Sequence, residues 1–296
     1  MEGRIIRGVG GFYDIESEDG IFRTRGRGKF RKDKITPLVG DLVRFRVLPD
    51  GDGVIDRIYP RTSEFLRPPI SNVNTLVIVF SPHNPDPNFY VIDRFLVMAE
   101  AKGVESVLCL NKCDLAEEGD ISRIRSRFSA YSDFLTVSAA RGEGIKQLKE
   151  RLCGKNAALA GFSGVGKSTI TNLLIPKAGM KTNSVSEKTA RGRHTTRHVE
   201  IFHLPGGGLI YDTPGFMSLE LDLSDVSPND LRSFYPEFRP YLGSCRFSDC
   251  THRKEPGCAV REAAESGDII SDRYNSYLKN YEELAEKQKN WNRRKI

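Results

Sequence analysis

The stretch that leaves this chain least freedom is Gly161-Phe-Ser-Gly-Val-Gly-Lys167-Ser168, which completes the pattern G-x-x-x-x-G-K-[ST]. An apolar run, Ala157–Ala160, precedes it and a helix-forming run, Ser168–Leu174, follows it. Strand, glycine loop and helix in that order call for a sheet flanked by helices. Gly161, Gly164 and Gly166 have no Cβ to keep backbone N–H groups away from phosphate oxygens. Lys167 is expected to reach the β- and γ-phosphates and Ser168 to ligate Mg²⁺, with the helix N-terminus adding positive potential at the same point. Phe162, Ser163, Val165 and Thr169 complete the set expected around the phosphates.

Two segments earlier in the chain fit a guanine base. Asn111-Lys112-Cys113-Asp114 ends the apolar run Glu105–Leu110, where an open α/β sheet presents ligand-contacting residues. A carboxylate at Asp114 can accept from both guanine N1–H and N2–H₂, a donor pair that adenine lacks. Asn111 is expected to offer its amide to the other edge of the base. A second run, Phe134–Val137, ends at Ser138-Ala139, whose backbone N–H can meet guanine O6. GTP or GDP is therefore the expected ligand.

Asp212-Thr-Pro-Gly215 follows the apolar run Gly208–Tyr211. Asp212 is expected to hold a water of the Mg²⁺ shell, and the Gly215 N–H to sense the γ-phosphate. Upstream, Thr195 or Thr196 in Gly192-Arg-His-Thr-Thr-Arg197 can complete that shell. Phe216 stands where many GTPases carry the glutamine that orients attacking water, and phenylalanine cannot hydrogen-bond water. His194 is the nearest side chain able to position it. Phe216 also favours a second reading, a GTP-gated RNA-binding adaptor whose hydrolysis is incidental. The base-reading segments come before the phosphate loop, so the order of small GTPases is rotated, which a sheet with neighbouring termini tolerates.

The rest of the chain divides into two regions of different character. Residues 1–67 read as short strands: Gly3–Arg7, Gly11–Ile15, Ile21–Arg25, Asp41–Val47 and Gly53–Ile58, separated by turn signals such as Asp19-Gly20. That pattern predicts a small β-barrel, an OB-fold, with Arg67-Pro68-Pro69 stiffening its boundary. The net charge is +6, from 45 basic and 39 acidic residues, and Phe22–Lys34 alone carries an equal excess. A second basic run occupies Lys287–Ile296, and two such segments suit a polyanion. The basic stretch is expected to project as a loop between the third and fourth strands. After Asp222 a polar helical region encloses Cys245-x₄-Cys250-x-His252-x₅-Cys258, a donor set that fills all four positions of structural Zn²⁺. Apolar runs such as Leu76–Phe80 fall far short of the ~18 residues of a membrane span. The start has no apolar signal-peptide core, so a cytoplasmic protein is expected.

Barrel, rotated GTPase and C-x₄-C-x-H-x₅-C module in this order resemble the circularly permuted, ribosome small-subunit-dependent GTPase A family, the RsgA or YjeQ type. The resemblance rests on Gly161–Thr169, Asn111–Asp114, Asp212–Gly215, Gly192–Thr196 and the four metal ligands. It implies three domains: an RNA-binding OB-fold over 1–68, a circularly permuted GTPase domain over 69–221 and a zinc-binding helical domain over 222–296. It also implies GTP hydrolysis stimulated by the 30S subunit, contact with 16S rRNA, a role in late 30S maturation, and catalysis through His194. A monomer is expected.

Overall fold

The computed structural model describes residues 1–28, 30, 35–49, 52–175, 199–213, 223 and 226–294, with side chains described to residue 290. The first five strands are β1 (Glu2–Val9), β2 (Phe12–Ser17), β3 (Gly20–Gly26), β4 (Leu42–Val47) and β5 (Gly53–Ile58). They pair in the order β1-β2-β3-β5-β4 and close through β4 against β1, with β3 and β5 parallel. Closure into an OB-like barrel removes the free edges that five short strands would otherwise expose. One face of each strand fills the interior: Ile5, Ile15, Thr24, Val43, Phe45 and Ile55 are all buried.

Arg23 and Arg25, which open the basic stretch, are strand residues of β3 as the Ile21–Arg25 pattern has it and not part of a projecting loop, and β3 runs on to Gly26 beside β5. Both guanidinium groups sit over the Phe12 ring, at 4.5 and 4.4 Å from its centroid. Arg27 turns back to Asp56 at 2.6 Å. Lys29, Arg31, Lys32 and Lys34 lie outside the described residues. The Arg67-Pro68-Pro69 stretch is also more than a stiff connector: it forms the turn of a hairpin between β6 (Glu64–Leu66) and β7 (Pro69–Ser71).

From Thr75 the predicted alternation appears: β8 (Thr75–Phe80), α1 (Phe89–Ala101), β9 (Glu105–Leu110), α2 (Asp120–Arg127), β10 (Phe134–Thr136), α3 (Ile145–Leu152), β11 (Asn156–Ala160), α4 (Lys167–Leu174), β12 (Glu200–His203) and β13 (Leu209–Asp212). Strands β10-β9-β8-β11-β13 run parallel, and β12 adds antiparallel to β13. All six residues of β8 are buried, as a central strand covered by helices on both faces must be. Its alternate residues feed two separate cores. Leu76, Ile78 and Phe80 join Phe95 and Leu96 of α1, while Val77 and Val79 join Leu148 of α3 and Ile170 of α4.

Barrel and sheet are continuous, since Arg7 of β1 pairs with Glu200 of β12. Asp41, fully buried, fastens the joint by accepting from Leu38 N, Ser71 Oγ and both Arg61 nitrogens that face it, at 2.6 to 2.8 Å. Toward the C-terminus, α5 (Ala259–Ser266) packs onto α6 (Ser271–Arg294), and α6 packs back onto α1. Here Asp93 of α1 is the buried hub, at 2.6 Å from Arg273 and 2.7 Å from Arg127. Arg273 also reaches Glu237 at 2.6 Å and lies over the rings of Tyr131 and Tyr235. Among the described residues no helix is long and apolar enough to cross a membrane.

Candidate nucleotide site and metal cluster

The phosphate loop leaves the C-terminal end of β11 and enters α4. Gly161 has φ +140°, and a Cβ there would meet the Val79 carbonyl oxygen at 2.0 Å. Gly166 has φ +95°, and its Cβ would strike Asn111 Nδ2 at 2.3 Å. Neither position tolerates a side chain, so the glycines hold the loop against its neighbours as well as leaving the amides bare. Ser163, Gly164 and Ser168 are exposed at the loop's open side. The Lys167 ammonium donates to the Gly161 and Phe162 carbonyls, each at 2.7 Å, which holds it across the loop. Burial pushes its pKa down to about 8, with Asp212 pulling the other way.

The base-reading segments arrive beside it from β9 and β10. Asp114 accepts from Ser138 Oγ at 2.5 Å, and that bond holds its carboxyl below the usual range. The carboxylate is therefore ionised at neutral pH and fit to accept two donors. Asn111 also does a job not foreseen for it. Its Nδ2 donates to Val165 O at 2.8 Å, and its Oδ1 accepts from Ala139 N at 3.0 Å. With a buried side chain, it stitches the phosphate loop to the Ser138-Ala139 turn. Lys112, at φ +60°, sends its ammonium to the Asn84 carbonyl. Cys113 turns inward, its Sγ at 3.0 Å from Leu110 O.

Asp212 closes β13 on the same edge of the sheet. Burial and neighbouring Glu200 raise its pKa, and Lys167 opposes them. Thr195, Thr196, His194, Gly215 and Phe216 lie outside the described residues. Sequence reasoning missed loop 81–86, which touches both halves of the site. The turn-forming pair Asn84-Pro85 was the signal available for it.

Some distance along the chain, Cys245, Cys250, His252 and Cys258 present one donor atom each, all within 4.8 Å of one another. His252 Nδ1 lies 3.5 Å from the sulfurs of both Cys245 and Cys258. A tetrahedron with metal–sulfur bonds of ~2.3 Å has edges of about 3.8 Å, so the cluster fits a four-coordinate ion. Its frame is rigid. Tyr274 and Tyr277 donate to the carbonyls of His252 and Thr251 at 2.8 and 2.6 Å, and Arg232 to Cys250 O at 2.7 Å. Burial pushes the Cys250 thiol up to about 12 and the His252 imidazole down. A cation bound there would reverse the cost by taking thiolates and a neutral imidazole.

Comparison with known proteins agrees with this arrangement. The model of the RsgA N-terminal domain matches residues 2–55 and that of the RsgA GTPase matches residues 58–222. A Ruminiclostridium cellulolyticum protein named small ribosomal subunit biogenesis GTPase RsgA is 43% identical over 290 residues, spanning 96% of this chain and 94% of its own. The protein of that name from Geobacillus thermodenitrificans is 43% identical, over 97% of this chain and 98% of its own. Among solved structures, YjeQ from Thermotoga maritima superposes with a TM-score of 0.81 at 35% identity, over 96% of this chain and 98% of that one. YloQ, described as a circularly permuted GTPase, gives 0.78 at 37% identity, over 97% and 95%. With both family models matched and these relatives covering nearly its whole length, the chain belongs to the RsgA GTPase family.

Proposed function

We propose that this chain hydrolyses GTP to GDP and phosphate in the maturation of the small ribosomal subunit, binding 16S rRNA on the 30S particle. The observation that carries it is the Asn111 stitch, which brings a phosphate loop and a guanine-reading carboxylate to one edge of one sheet. The names of the relatives supply the subunit. Lys167 holds the β- and γ-phosphates, Gly161 to Thr169 surround them with amides and hydroxyls, and Asp114 reads the base with Ser138 and Ala139 beside it. Ser168 and Thr195 or Thr196 would hold Mg²⁺ and Asp212 a water of its shell, and the ion would neutralise charge on the phosphates. His194 positions the attacking water in place of the missing glutamine. Arg23 and Arg25 on β3, both within 4.5 Å of the Phe12 ring centroid, offer RNA a pair of positive charges.

Zn²⁺ on Cys245, Cys250, His252 and Cys258 is structural, because the four protein donors leave no position for water. We place the domain divisions at 68/69 and 221/222, and the protein in the cytoplasm as a monomer. The test is GTP turnover with and without purified small subunits. Stimulation of many fold is expected, and Lys167→Ala should abolish it. Equal rates with and without subunits would remove the partner. Binding should also depend on alkali. Lys167 is already charged below pH 8 and must recover a proton above it, so GDP affinity should fall by up to about tenfold per pH unit there. Titration calorimetry reads this directly, and a flat profile would mean that Lys167 does not face phosphate.

A further inference from the structure

Loop 81–86, between β8 and α1, reaches both halves of the nucleotide site. The Asn84 carbonyl accepts from Lys112 Nζ, and Pro85 Cδ is the atom nearest to where a Gly164 Cβ would lie, at 3.7 Å. Ser81 Oγ donates to Pro85 O at 2.8 Å and draws the loop tight. Beside Asn84 stands His83, whose Nε2 is 2.8 Å from Asp120 Oδ2 and whose Nδ1 is 3.4 Å from Asp86 Oδ1. Ionised carboxylates only accept, so only the imidazolium donates on both sides. Asp120 opens α2 on the connection that follows Asp114, and its carboxylate also takes Glu117 N at 2.9 Å and Arg123 Nη2 at 2.6 Å. The segment from Asn111 to Asp120 is thus tied to loop 81–86 at both ends, by Lys112 and by Asp120.

We propose that the His83–Asp120 pair is a positioning device that pins loop 81–86 to the guanine-reading segment, so that nucleotide affinity rises with the charge on His83. It rests on the nucleotide-site reading above. His83 touches no reacting atom and acts through Asn84, Lys112 and Pro85. The charged groups facing it are Asp120, Glu117, Asp86, Arg123 and the Lys112 ammonium behind Asn84. The hydrogen bond that His83 donates to Asp120 raises its pKa above the ordinary 6.5, and burial opposes it. The tie is therefore strongest below that pKa and weakens as pH rises through it.

The test is the dissociation constant of a fluorescent GDP analogue on the full chain, from about pH 6 to about pH 7.5. Wild type, His83→Gln and His83→Ala are compared. The wild type should weaken about twofold to fivefold across the range, as suits a partly exposed ion pair. His83→Gln keeps an amide donor without charge and should hold the wild type's high-pH affinity at every pH. His83→Ala should be weaker still and equally flat. Lys167, with its own pH dependence at about 8, is common to all three. Superimposable curves, or a glutamine variant that keeps the wild-type slope, would overturn the proposal. A wild type that holds no GDP at any pH would overturn the nucleotide reading, and the role of the pair with it.

Discussion

Asp41 and Asp93 do comparable work at the N-terminal and C-terminal flanks of the GTPase sheet, and the difference between them lies in their partners. Asp41 joins the barrel to hairpin β6–β7 by sharing its charge among a backbone N–H, a hydroxyl and one arginine. That arginine, Arg61, keeps 15% of its side chain exposed. Asp93 joins α1 to α6 by holding two guanidinium groups, from Arg127 and Arg273, that are 8% and 2% exposed. An acid that neutralises one half-wet cation can be lost at moderate cost. An acid between two dry cations cannot, because its removal leaves like charges buried together. The C-terminal flank should therefore be the more brittle of the two.

The largest effect should come from removing the metal, since the Cys–His cluster organises the loops that Tyr274 and Tyr277 bind. Structural zinc contributes on the order of 10 kcal/mol in small isolated modules. The effect here should be smaller, because ring packing among Tyr235, Phe238 and Tyr277 and the buried Asp93 hub also hold this region. Chelation should speed amide exchange across α5 and α6 and leave the barrel protected. Equal loosening of both flanks would erase the contrast.

Next in size, Asp93→Ala should cost about 3–4 kcal/mol by urea unfolding, because two buried guanidinium groups lose their shared acid and keep only Glu237 and the exposed Asp272. Asp41→Ala should cost about 2–3 kcal/mol, because Arg61 can turn to Glu64 and water while the neutral donors lose one acceptor. The reverse order would show that hydrogen bonds to neutral donors, not charge burial, set the strength of these joints. Smallest are the exposed ties that span the same two flanks, His203 to Glu16 at 2.8 Å and Arg239 to Glu100 at 2.6 Å. Glu16→Gln and Glu100→Gln should each change stability by about 0.5 kcal/mol or less. A larger loss at either would move the weight of that joint from its buried hub to its rim.

Wherever the controlling interactions are local, the elements could be read before folding. Gly53–Ile58, Glu105–Leu110 and Ile145–Leu152 have the same bounds in sequence pattern and structure, because period and turn residues define them without help from afar. The glycine loop, the Asn111–Asp114 segment and the cysteine–histidine spacing were legible for the same reason, since each demands residue types at fixed short intervals. The loop expected of the basic stretch begins later than the run of charge does: its first arginines fall on the strand read over Ile21–Arg25, which runs on to Gly26 against its parallel partner β5, remote in sequence.

The sequence alone determined which chemistry the chain carries: backbone cradle, guanine-reading acid and soft-metal donors are written in side-chain identity and spacing. Only the tertiary structure decided that Asn111 stitches two loops, that His83 meets Asp120, and that Asp41 and Asp93 become hubs. Those outcomes depend on groups brought within 3 Å of one another from distant strands and helices. Hydrogen bonds and desolvation act over such distances in space, and they leave no periodicity along the chain.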